Sequence, residues 1–221
     1  MNIIGYSNNI INADNSFVGG KNNTIGSLDK LVNYSLVVGI DNEEYSVASS
    51  VIGQKNFNYG MTSILGGANN TNRSFATLVI GERNTSGNEE KTQKDNIISG
   101  QYNSANASFS LLVGRYNQVN NHCSIIGGSY NIGKANTLLE IGNGTGESDN
   151  ERSNAFEVIK DGRAKVYKAP QDNEDVVRKL ELDKKIVKVA ADVMIATKNT
   201  KLFMDLSKQF ANGEIVIIGT M

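Results

Sequence analysis

Ten glycines divide the first two thirds of this chain into near-equal steps: Gly5, Gly20, Gly39, Gly53, Gly67, Gly81, Gly100, Gly114, Gly128 and Gly142. Successive intervals are 15, 19, 14, 14, 14, 19, 14, 14 and 14 residues. Asn follows three residues after nine of them, at Asn8, Asn23, Asn42, Asn56, Asn70, Asn84, Asn103, Asn117 and Asn131, whereas Thr145 follows Gly142. A period this short holds one supersecondary unit per repeat. Such a unit buries its apolar residues only by stacking on its neighbours.

Each repeat has the same internal order. A β-favouring run precedes the glycine, as in Leu36-Val37-Val38, Leu78-Val79-Ile80 and Leu111-Leu112-Val113. The Gly and the Asn read as a turn, because both tolerate positive φ. A second, weaker strand is expected over 45–48 and 73–76. Two short strands and two turns make one coil of a parallel β-solenoid, whose backbone groups pair with the coils on either side.

Neighbouring side chains of a strand point to opposite faces. The strand before each glycine is nevertheless apolar without alternation. Val37, Val38, Val51, Ile52, Val79, Ile80, Leu112, Val113, Ile125 and Ile126 are therefore expected to fill the coil interior on one face and to need a cover on the other. No helical pattern in this region supplies that cover. Another copy of the same surface does, which predicts a homo-oligomer with closed rotational symmetry. A monomer with a bare apolar stripe is the alternative, and aggregation weighs against it.

Composition narrows the function. With 22 Lys+Arg against 23 Asp+Glu, the net charge of −1 gives no electrostatic footprint for nucleic acid or an anionic membrane. No apolar run approaches membrane-spanning length, and Met1–Gly5 lacks the pattern of a secretory signal. One cysteine and one histidine build neither a disulfide framework nor a zinc shell. No cofactor is expected. His122 and Cys123, read as strand neighbours, point apart and form no nucleophile pair, which makes Cys123 a small buried residue. A glycosidase needs two acids facing one cleft. Asp41, Glu43, Glu44, Glu82, Glu89 and Glu90 are expected in turns or loops, ionised by solvent. "GNGTG" (142–146) lacks the Lys-Ser/Thr ending of a phosphate loop and reads as an exit from the roll. The chain is not expected to be an enzyme.

The two intervals of 19 carry the best candidates for binding. One extra segment lies around Asp29 and Lys30, the other around Glu89, Glu90 and Lys91. Insertions lie outside a solenoid's stack, and these are expected on one edge. Tyr102, Tyr116 and Tyr130 each sit two residues after their glycine. They are expected to form a vertical stack, either exposed for sugar rings or partners, or packed between coils.

Residues 154–183 read differently. Ala155–Ile159 and Ala164–Tyr167 are two strands joined by an Asp161-Gly162 hairpin turn. Glu174 to Asp183 could start a short helix, with Val177, Leu180, Lys184 and Val187 near heptad spacing. Residues 184–221 suggest a small β-rich module. The expected organisation is a roll over 1–146, a hairpin and helical connector over 147–183, and a terminal module over 184–221.

The repeat "S-φ-φ-x-G-x-x-N" resembles the YadA-like heads of trimeric autotransporter adhesins. That resemblance covers roughly 2–145 and implies an all-β, homotrimeric, left-handed parallel β-roll. The family's motif usually ends in Ser or Ala where this chain has Asn. "NAFEVIKDGRAKVYKAPQDNEDVVRKLELD" (154–183) resembles the segment that follows such repeats in phage and prophage tail fibres. It implies a virion tail protein that attaches to a bacterial surface receptor, with carbohydrate a candidate. Two alternatives remain open: an adhesin head at the bacterial surface that binds host matrix, and a tail-spike depolymerase. Met1 falls inside a repeat, so a longer protein is expected.

Overall fold

The computed structural model describes residues 2–88, 93–169, 171 and 172. Among these residues every regular element is a β-strand. The chain divides into two compact units, Met1–Tyr167 and Lys168–Met221. Only Lys168, Ala169, Gln171 and Asp172 of the second are described, so the expected helix and the 184–221 module lie outside the described residues.

The first unit is a parallel β-solenoid of about ten turns. Its main sheet runs from Asn2–Tyr6 through eight further parallel strands to Thr137–Asn143, each in register with the one before. Gly67, for example, pairs with Gly53 on one side and Gly81 on the other. A second parallel sheet stacks eight two-residue strands, among them Glu43–Glu44, Phe57–Asn58 and Thr71–Asn72. These strands directly follow the repeat asparagines, earlier than expected. Residues 45–48 and 73–76 instead turn a corner, with Ala48 and Ala76 at φ 57 and φ 50. Their Ser46 and Ser74 point inward and are buried.

The glycine is obligatory on two counts. Gly67 has φ +105, and a Cβ there would lie 2.0 Å from the carbonyl oxygen of Gly81. The other main-sheet anchors from Gly5 to Gly128 meet the next glycine in the same way, at 1.9–2.2 Å. A side chain would force the coils apart.

The asparagine is a connector between coils. Asn70 donates its backbone N–H and its side-chain amide to Asn56 Oδ1, at 3.1 and 3.0 Å. The same amide also reaches the carbonyls of Gly66 (3.0 Å) and Gly81 (2.9 Å). Asn23, Asn42, Asn56, Asn84 and Asn103 repeat this pattern. A Ser hydroxyl has one proton to donate and cannot make both sets of contacts. The column is buried from Asn23 to Asn131, so the bonds between these residues are formed away from bulk water.

The ladder ends at Asn131. Its amide donates instead to Glu140 Oε2, at 2.8 Å. Glu140 also accepts from the Gly133 and Lys134 backbone, Thr137 Oγ1 and Asn154 Nδ2, at 2.6–3.0 Å. Strand Asn154–Ile159 then pairs antiparallel with Thr137–Asn143, and Ala164–Val166 pairs antiparallel with it. Gly162, at φ 88, turns this hairpin, and its N–H donates to the Ile159 carbonyl at 2.9 Å. The hairpin covers the sheet edge that the last coil leaves open.

Candidate assembly and binding surfaces

The apolar strand separates cleanly into two faces. Val37, Val51, Val79, Leu112 and Ile126 point inward and are fully buried, in column with Leu65 and Ile98. Val38, Ile52, Ile80, Val113 and Ile125 point outward. Ile52 and Ile80 are each 46% exposed and Ile125 53%. Of these, Ile125 is in column with Ile64, Leu78, Ile97, Leu111 and Leu139, which stand on the same outer face two residues before the register of the other four. Two apolar columns thus run up the main sheet for roughly 38 Å. The column nearest the glycines is notched at Gly66, Ser99 and Gly127, which lie level with Ile80, Val113 and Ile141 of the coils above. A groove of about 390 Å³ runs beside this face, lined by Thr62, Ile64, Ala76, Leu78, Asp95 and Ile97.

Both five-residue insertions leave the roll through one slot. The first separates Gly26 from buried Val32, the second Gly87 from buried Gln93. Gly26 and Gly87 have φ +85 and +81, and each donates its N–H to the coil above, to Glu44 and Ala105 respectively, at 2.8 Å. The slots are four coils apart, roughly 19 Å. Asp29 and Lys30 lie exposed on a tight turn closed between Ser27 and Lys30. Glu89, Glu90 and Lys91 lie outside the described residues.

The expected vertical stack of tyrosines forms. Tyr102, Tyr116 and Tyr130 stack face to face at 4.4 and 4.7 Å. The Arg83 guanidinium lies 5.2 Å from the Tyr102 ring and that of Arg115 5.6 Å from the Tyr130 ring. All three are half-buried at a corner where each takes a left-handed φ of 48–56. Tyr116 is covered on both faces, and Tyr102 meets Tyr116 and the Arg83 guanidinium.

Two other expectations need correction. Cys123 is exposed, at φ 60 on a corner and not within a strand. Its neighbour His122 accepts the Ser108 N–H through Nδ1, at 3.1 Å. Glu44 is not a loop carboxylate but lies inside the coil, 0% exposed. Burial pushes its pKa up to about 7, against hydrogen bonds from Asn58 and Ser46 that lower it. The signal was the two-residue strand Glu43–Glu44, which sends adjacent carboxylates to opposite sides of the wall. Glu43 faces outward and accepts from the Tyr45 hydroxyl at 2.7 Å. These two acids therefore never face one cleft.

Sequence reasoning missed a second aromatic column. Tyr45 and Tyr59 stack at 5.2 Å, and the Arg73 guanidinium lies 5.3 Å from the Tyr59 ring. They occupy the register of Gly26 and Gly87, on the edge between the two insertions. The 14-residue spacing of 45, 59 and 73 was the available signal.

No protein-family model matches the sequence, and no curated protein matches it.

Proposed function

We propose that this chain is the rigid display segment of a homotrimeric adhesive fibre. Three rolls, left-handed as the YadA-like resemblance implies, pack through their apolar outer faces. The edge insertions then point away from the axis toward a bacterial cell-surface receptor. A phage or prophage tail is the setting that the hairpin segment after the roll favours. Attachment by such a part is display rather than chemistry: stiff coils fix the contact residues, and three copies add avidity.

The outer face of the main sheet carries this reading. Half-exposed isoleucines in two notched columns form a patch larger than soluble monomers leave open. Its notches at Gly66, Ser99 and Gly127 suit interdigitation with a matching surface. Light scattering coupled to size exclusion tests it. A mass of about 72 kDa, three times the 23.9 kDa chain, is the expected result. A folded, monodisperse 23.9 kDa species overturns it.

A further inference from the structure

The column that holds Tyr45, Tyr59 and Arg73 reads, coil by coil, Ile11, Gly26, Tyr45, Tyr59, Arg73, Gly87, Asn106 and Asn120. Its register is fixed by equivalent backbone bonds, from Tyr45 N–H to Asn58 O at 2.9 Å and from Tyr59 N–H to Asn72 O at 2.8 Å. Large planar groups fill three coils, and a glycine stands at each end. Gly26 cannot carry a side chain there, since its Cβ would lie 2.5 Å from the Asn12 carbonyl oxygen. Gly26 itself therefore puts no side chain against the lower face of Tyr45. Among the described residues, Tyr45 has a ring partner on one side only, Tyr59.

The surroundings are those of a small polar ligand with an apolar face. Next to the column, Val47, Met61 and Phe75 form a second, partly exposed apolar row, which becomes Lys94, Ser108 and His122 above the second insertion. Glu43 and the Tyr45 hydroxyl supply a bonded acceptor and donor at the rim. The first insertion rises beside the slot, with Leu28 88% exposed and Asp29 and Lys30 next to it. Among the described residues of these two rows, Tyr and Phe occur only in the three coils between the insertions, at Tyr45, Tyr59 and Phe75.

We infer that this edge is a glycan-binding site, in which a pyranose ring stacks on the free face of Tyr45 in the gap left by Gly26. The inference rests on the adhesive reading above and names its ligand class. The slot is one coil deep, roughly 4.8 Å, the thickness of one stacked ring. A pyranose presents C–H bonds of partial positive charge to the electron-rich tyrosine face, while its hydroxyls bond to the carboxylates and amines of the rim. The exposed patch is on the order of 200 Å², three coils tall and three columns wide, against roughly 800 Å² per partner in a stable protein interface. Its size favours one or a few sugar units per chain, with affinity raised by three copies.

The test is a printed array of bacterial surface polysaccharides, probed with the full chain. Solution mass is measured on the same samples. Binding is expected, and Tyr45→Ala and Tyr59→Ala should weaken it about tenfold, the loss of one stacking contact. Tyr116→Ala, in the other stack, should leave it unchanged. Binding that ignores Tyr45→Ala overturns the site while leaving the adhesive reading in place. A trimer that binds no polysaccharide overturns the glycan assignment but not the assembly. Attachment to intact cells that survives periodate and is lost on protease treatment assigns this edge to a protein partner, and also overturns it. A monomer on the mass measurement refutes the assembly separately.

Discussion

Asn70 spans three coils with one side chain: its amide bonds Asn56 Oδ1 in one neighbouring coil and the Gly81 carbonyl in the other. Its own coil is tied through Gly66. Replacing it with Ala leaves the Gly81 carbonyl and Asn56 Oδ1 short of a donor in a dry interior. We expect a loss of about 1–3 kcal/mol, seen as a lower thermal midpoint by circular dichroism. Asn8 sits at the open end of the column, beside exposed residues. Asn8→Ala should cost much less, and an equal cost would contradict the burial account.

Gly66 and Gly67 are adjacent and differ in kind. A Cβ at Gly67 would strike backbone, whereas one at Gly66 would meet nothing nearer than Ile80 Cγ1, at 3.9 Å. Gly67→Ala should abolish folding or cost more than about 4 kcal/mol. Gly66→Ala should stay within about 1 kcal/mol and leave a folded chain. Urea titration of the two variants separates them.

Val79 and Ile80 form a second such pair. Val79→Ala removes a buried interior group and should cost about 1–3 kcal/mol with the oligomer mass intact. Ile80→Glu should leave the coil folded and shift the mass toward 23.9 kDa. The reverse pattern would place the assembly surface elsewhere.

Glu44 predicts a pH effect with a definite sign. Its folded pKa of about 7 lies above the ordinary 4.5. Between these values the folded chain holds more protons than the unfolded one, so stability falls as pH rises through that window. The shift corresponds to about 3 kcal/mol at most. Glu44→Gln keeps the shape and removes the titration. The wild-type midpoint should therefore drop relative to the variant between pH 5 and pH 8. Parallel curves would show that folding leaves the Glu44 pKa unshifted.

The roll was legible in the sequence because its two strictest positions are chemically strict. No residue but glycine fits between two carbonyls, and no side chain shorter than Asn both accepts and donates twice. The common slot of the two insertions followed from the same count. What escaped was set by direction rather than identity. Glu44 looks like a loop acid until the two-residue strand turns it inward. Tyr102, Tyr116, Tyr130 and Cys123 take left-handed φ at corners that coil stacking imposes, a choice their own propensities do not announce. The spacing of 14 puts Tyr45, Tyr59 and Arg73 in one column, but how Gly26 and Gly87 bound it depends on where in each 19-residue interval the insertion falls.

The register between coils makes this chain a ruler. Each 14-residue unit adds a fixed increment of roughly 4.8 Å and repeats the same contacts, since every anchor faces only its two neighbours. Duplicating one such unit between Gly53 and Gly81 would lengthen the distance between the two insertions by one graduation without redesigning any interface. The spacing between them is therefore a quantity that evolution, or an engineer, can reset in whole steps.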